Sequence, residues 1–150
     1  MQPFKFDLEK LLSLRKFKEE EIRVELGKVR STIEKALSKK ADFQAEYERA
    51  LMEMRDKTGQ MSAHEIQQFY RYLSGLKGYM KNQDLIVSDL RNYEKEIIEK
   101  YKDAMKDRKI LEKLKEKKLD EYKYEAKKKE KKEIENLILM HHKPDSSFSI

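Results

Sequence analysis

Apolar residues recur along most of the chain in alternating steps of four and three, against a background that is largely charged. The first series runs Leu8, Leu12, Arg15, Glu19, Ile22, Leu26, Val29, Ile33, Ala36, Lys40, Phe43, Tyr47, Ala50 and Met54. Eleven of these fourteen positions are apolar, which marks a coiled-coil seam with water on its other sides. A second series keeps the same rhythm. It runs Ile66, Phe69, Leu73, Leu76, Met80, Gln83, Val87, Leu90, Glu94, Ile97, Tyr101, Ala104, Arg108 and Leu111. Both series predict helix. Asp7 suits the first N-cap, with Glu9 placed favourably at the positive helix end.

Between the two seams, Asp56–Glu65 reads as one helix stopping and another starting. Gly59 is predicted in the left-handed conformation that often follows a last helical turn. Ser62 and Glu65 fit a capping box, in which the serine accepts from the Glu65 amide and the glutamate reaches back. Folding the chain at residue 60 sets Met54 against Ile66, Tyr47 against Leu73, Ile33 against Val87, Ile22 against Ile97 and Leu8 against Leu111. One antiparallel register therefore satisfies both seams, and a short loop joins such neighbours. The predicted fold is all-α: a long antiparallel two-helix coiled-coil hairpin. Helix 1 spans about 7–58, the turn 59–61 and helix 2 about 62–142, with 143–150 as a disordered tail.

Some seam positions are polar. Arg15 and Glu19 enter the seam near Tyr101 and Ala104, Lys40 lies opposite Met80, and Gln83 lies near Ala36. Single polar seam residues can fix register at some cost in stability, or can mark a stretch loosened for a partner. Beyond Leu111 the period fades, and helix 1 has run out. Helix 2 is therefore expected to overhang by about 30 residues, roughly 45 Å at the helical rise. Residues 113–133 carry ten lysines against six acids, including Lys127–Lys128–Lys129. Ile134, Leu137, Ile138 and Met140 then form a short apolar face with no visible partner. The helix is expected to stop by His142, because Lys143 precedes Pro144.

Composition narrows the classes. The chain has 150 residues, 43% charged and 38% hydrophobic, with net charge +6. That is too polar for a compact multilayer core, and the sustained period selects thin helices over disorder. The chain has no cysteine, so disulfides and thiolate chemistry are absent. No apolar run approaches the length needed to span a bilayer, and the opening lacks a signal-peptide core. A two-helix rod offers no concavity for catalysis, and His141–His142 are adjacent, a poor spacing for a metal. No enzyme activity, cofactor, metal or small-molecule substrate is expected. Nucleic acid is not expected either, since the lysine run is interleaved with glutamates and lacks stacking aromatics.

After the turn, Tyr72 and Tyr79 are left over by the seam. With Leu76 and Gln83 they form a second stripe, displaced by one residue at Tyr72 and Tyr79. Either the two rings lie flat along the seam edge, or the stripe docks a partner. Gly75 and Gly78 lie off the seam and would let a partner's backbone come close.

The opening Phe4-Lys5-Phe6-Asp7-Leu8-Glu9-Lys10-Leu11-Leu12-Ser13-Leu14-Arg15 resembles that of the FliJ family, the coiled-coil component of the bacterial flagellar type III export apparatus. So do Glu19-Glu20-Glu21 and, after the turn, Tyr70-Arg71-Tyr72-Leu73 with Leu76, Met80 and Gln83. Leu111-Glu112-Lys113-Leu114-Lys115-Glu116 and Tyr122 fit the family's second helix. The resemblance implies a hairpin similar to the coiled coil of the rotary-ATPase gamma subunit, in a non-catalytic role. The implied partners are the hexameric flagellar export ATPase, the cytoplasmic domain of the export-gate membrane protein, and export chaperones. The protein would lie in the cytoplasm, peripherally at the membrane. The family's gate contact falls on Tyr72, Leu76, Tyr79 and Gln83, although Tyr79 is bulky where a small residue can occur and Gln83 replaces an ionisable one. The ATPase contact is placed on Leu11, Leu14, Arg15 and Phe17. Two alternatives stand beside it: the equivalent stalk of a virulence type III system, and a nucleic-acid-associated coiled coil using the lysine-rich helix.

Overall fold

The computed structural model describes residues 2–141. The predicted tail 143–150 and the predicted stop at His142 lie outside them. Two long helices form an all-α hairpin: α1, Glu9–Lys57, and α2, Ala63–His141. One 3₁₀ turn, Thr58–Gln60, follows α1. The helices contribute to two compact units, one of residues 18–104 and one of residues 1–17 with 105–150.

Within residues 18–104 the two helices pack antiparallel on the predicted seams. Leu26, Val29, Ile33 and Ile97 form the central cluster, with Ile22, Val87, Leu90 and Ile98 packed against it. Ile97 has no exposed surface at all. Each seam position of both helices in this unit is buried or half-buried. Cross-helix pairs hold the register from the edges. Arg30 donates to Glu94 at 3.3 Å, Lys40 meets Asp84 at 2.6 Å, and Tyr72 donates to Glu46 at 3.3 Å. Lys40 thus leaves its seam position through the edge and finds a carboxylate, and no buried side-chain nitrogen or oxygen among the described residues lacks a partner. Such exposed pairs each contribute little energy. The buried apolar stripe carries the stability.

The turn departs from expectation. Gly59 is not left-handed; no described residue has a positive φ. The helix tightens instead into Thr58–Gln60 and leaves through Met61, which is extended at φ −95°, ψ 139°. Thr58 Oγ1 donates to the Met54 carbonyl at 2.6 Å, so one of the last orphan carbonyls is met by a side chain. Ser62 does cap α2: its hydroxyl accepts from the Glu65 amide at 3.2 Å. A Cβ built on Gly59 meets nothing within 4 Å. Gly59→Ala is therefore expected to stabilise the hairpin by about 0.5 kcal/mol, by restricting the unfolded chain. A thermal melt checks this, and a clear drop in midpoint would mean that the turn needs glycine.

Within the other unit, Leu12 and Leu111 are buried, and Arg15 donates to the Asp107 carbonyl at 2.8 Å. The Leu8 carbonyl accepts from Leu12, so α1 begins one residue later than an Asp7 cap predicts. Leu8, at 37% exposure, is the most open seam position. The expectation that α2 has nothing to pair with beyond Leu111 is corrected here. Residues 2–8 continue along it without helical structure. Glu9 meets Lys115 at 2.8 Å, the Phe4 and Tyr122 ring centroids lie 5.6 Å apart, and the Tyr122 hydroxyl donates to the Gln2 carbonyl. The reason is reach. A non-helical segment can span about 3.3 Å per residue against 1.5 Å in a helix, so seven residues can accompany about fifteen of α2. Leu119, Tyr122 and Ala126 are accordingly half-buried. From Lys127 to His141 every residue is exposed, so the bare part of α2 is about half the predicted overhang.

Candidate functional site

Two surfaces carry apolar groups that the seams do not use. The first lies on α1 in the unit of residues 1–17 and 105–150. Leu11, Leu14 and Phe17 are 37%, 62% and 63% exposed. Steps of three keep them on one side of a helix, within about 120° of one another. Arg15, predicted as part of the same site, is half-buried and spends its guanidinium on the Asp107 carbonyl. It is a seam residue that ties α1 to α2, beneath the exposed face.

The second surface is the edge of α2 after the turn, within residues 18–104. Tyr72 and Tyr79 are 49% and 59% exposed. Their rings lean on α1 and stay half open. Tyr79 stacks on Phe43 with centroids 5.2 Å apart and planes at 17°, and Tyr72 reaches Glu46. Burial of its ring against α1 and the nearby Glu46 carboxylate hold the Tyr72 hydroxyl above its ordinary pKa. Leu76 is different: at 3% exposure it belongs to the seam, and Gln83, two turns further along the same seam, is half-buried. Of the four residues in the predicted stripe, two face outward and two lie beneath them. Gly75 and Gly78 leave open space where a side chain would stand. An open cleft of about 310 Å³ adjoins Tyr72, lined by Glu53, Lys57, Met61, Phe69 and others near the turn.

The same edge continues past the predicted stripe. Ile86 and Tyr93 follow Tyr79 at steps of seven and remain about two-fifths exposed. Tyr93 donates to Glu25, and that bond, with the field of Glu25 and Glu96, raises its pKa. The spacing of seven runs unbroken from Tyr72 through Tyr79 and Ile86 to Tyr93, past the predicted end at Gln83.

Among the described residues no group of three or more His, Cys, Asp or Glu is arranged to hold a metal ion. No described helix is long and apolar enough to cross a membrane.

Two paired helices with unsatisfied apolar edges define the class, an antiparallel α-helical hairpin protein. The family model described as "Flagellar FliJ protein" matches residues 4–142. The chain belongs to that family and is a component of the flagellar export apparatus. No curated protein and no solved structure gives a significant match.

Proposed function

We propose that this protein binds the hexameric flagellar export ATPase as a central stalk, contacts the cytoplasmic domain of the export gate, and so couples ATP hydrolysis to export. It also assists the cycling of export chaperones, and it works in the cytoplasm at the inner face of the membrane without catalysing a reaction itself. The observation that carries this reading is the family match across nearly the whole chain. That match favours the flagellar apparatus over a virulence stalk or a nucleic-acid-bound coiled coil.

The division of labour between surfaces rests on exposure. The ATPase takes the face of Leu11, Leu14 and Phe17, because these apolar side chains lie outside the seam and stay exposed. The gate takes the edge of Tyr72 and Tyr79, with Leu76 and Gln83 supporting it from the seam. Exposed aromatics are strong anchors at interfaces because they bury much area at little entropic cost.

Steady-state hydrolysis by the purified cognate export ATPase tests the first contact. Added wild-type protein is expected to stimulate turnover. The folded variant Leu14→Ala/Phe17→Ala is expected to lose most of that stimulation. Equal stimulation by both proteins would remove these residues from the contact, and no stimulation by the wild type would remove the stalk reading.

A further inference from the structure

Along α2 the two flanks of one seam differ in kind. Beyond Tyr70, which opens it, one flank carries Lys77, Asp84 and Arg91. These are charged, and each has found a neighbour: the Tyr47 ring, Lys40 and Glu94. That is what a water-facing flank requires. The opposite flank carries Tyr72, Tyr79, Ile86 and Tyr93, one at every seventh residue, each between 38% and 59% exposed. Four large side chains at one repeated position, open to water on one side of a helix pair, make a ledge and not a scatter of apolar residues. Successive members stand about 10.5 Å apart along the helix, so the ledge extends roughly 30 Å.

Three features of the ledge point to the form of its occupant. Its period of seven is the period at which another α-helix presents side chains to a coiled coil, so a helix alongside would meet all four residues in phase. Its small neighbours Gly75 and Gly78 have nothing within 4 Å of a built Cβ, which leaves room for close approach at the turn-proximal end. Its border carries carboxylates at two of the four positions: Glu46 accepts from the Tyr72 hydroxyl, where the Arg49 charge also acts, and Glu25 from that of Tyr93, where the Glu96 charge adds to it. Hydrogen bonds already hold two of the tyrosine hydroxyls in place, so little side-chain freedom is left to lose on binding.

We propose that Tyr72, Tyr79, Ile86 and Tyr93 form a single docking ledge for one amphipathic α-helix of a partner, with apolar residues seven apart and lysine or arginine beside them. The helix lies along the hairpin as a third strand. This rests on the reading that the edge meets the export gate, and it adds the length of the site and the form and charge of what fills it.

Titration calorimetry with the purified cytoplasmic region of the cognate export gate provides the test. Ile86→Ala and Tyr93→Ala are each expected to weaken binding at least about fivefold, as for interface anchors. Glu25→Lys is expected to weaken it as well, and more at low salt than at high salt. Tyr70→Ala, an exposed tyrosine off the ledge, is expected to change nothing. Circular dichroism on each variant confirms that the hairpin is intact. If Tyr72→Ala weakens binding and Ile86→Ala and Tyr93→Ala do not, the extended ledge is wrong and the gate reading stands. If wild-type protein fails to bind the gate region, the gate reading fails and this proposal with it. If sedimentation shows the chain dimerising and Ile86→Ala abolishes the dimer, the ledge is filled by a second copy and the partner helix is wrong.

Discussion

Replacing Ile97 with aspartate will unpair the two helices at the centre of residues 18–104. Ile97 is fully enclosed, among Leu26, Val29 and Ile33. Ile97→Ala alone is expected to cost about 3 kcal/mol, from lost transfer energy and the cavity left behind. Aspartate adds the burial of a charge that has no partner there, or the cost of protonating it, and the total should exceed about 4 kcal/mol. In a thin fold this is decisive, because each residue of the seam is one of few that leave water. Denaturation followed by circular dichroism will show the midpoint collapsing. Ile134→Asp is the comparison. Ile134 is half exposed on bare helix, and the same substitution there should leave the melt almost unchanged. A modest effect at Ile97 would mean that the seam does not hold the hairpin together.

The variant Tyr72→Ala/Tyr79→Ala should lower affinity for the gate's cytoplasmic region by about two orders of magnitude while the protein stays folded. Truncating an aromatic anchor commonly costs 1 to 2 kcal/mol or more, and two on one edge can remove most of a site. The seam beneath is untouched, since Leu73, Leu76 and Met80 remain in place. The stacking of Tyr79 on Phe43 and the bond from Tyr72 to Glu46 lie at the exposed edge, so their loss should cost little stability. Leu76→Ala is the less informative substitution. At 3% exposure it would weaken packing first and any contact only indirectly. Unchanged affinity in the double variant would move the gate contact elsewhere.

The hairpin could be read from sequence because its signal repeats. Every seven residues restate which side is dry, and the two seams agree on a single register. The seam residues of the central unit are accordingly all buried or half-buried. What sequence left open was whatever happens once. Gly59 offered a left-handed turn, but a 3₁₀ turn with Thr58 bonded back to Met54 ends the helix without one. Glycine permits that conformation and does not compel it. Residues 2–8 carry no helical period, so nothing in their pattern announced that Phe4 would reach Tyr122. The candidate surfaces fell between these cases. Tyr72 and Tyr79 stood out as surplus to the seam, whereas Leu76 belonged to both stripes by spacing, and its burial keeps it in the seam. Arg15 stood in the seam by spacing and was also assigned to the exposed face of Leu11, Leu14 and Phe17; its guanidinium, engaged with Asp107, keeps it in the seam.

The most direct test is export itself. The gene should be deleted in its own host and flagellar proteins measured in the culture medium by immunoblotting. Secreted protein is expected to fall to a small fraction of normal. The wild-type chain should restore it, and a folded chain carrying Leu14→Ala, Phe17→Ala, Tyr72→Ala and Tyr79→Ala should not. Normal secretion in the deletion strain would contradict a coupling role in export, whatever the hairpin binds in isolation.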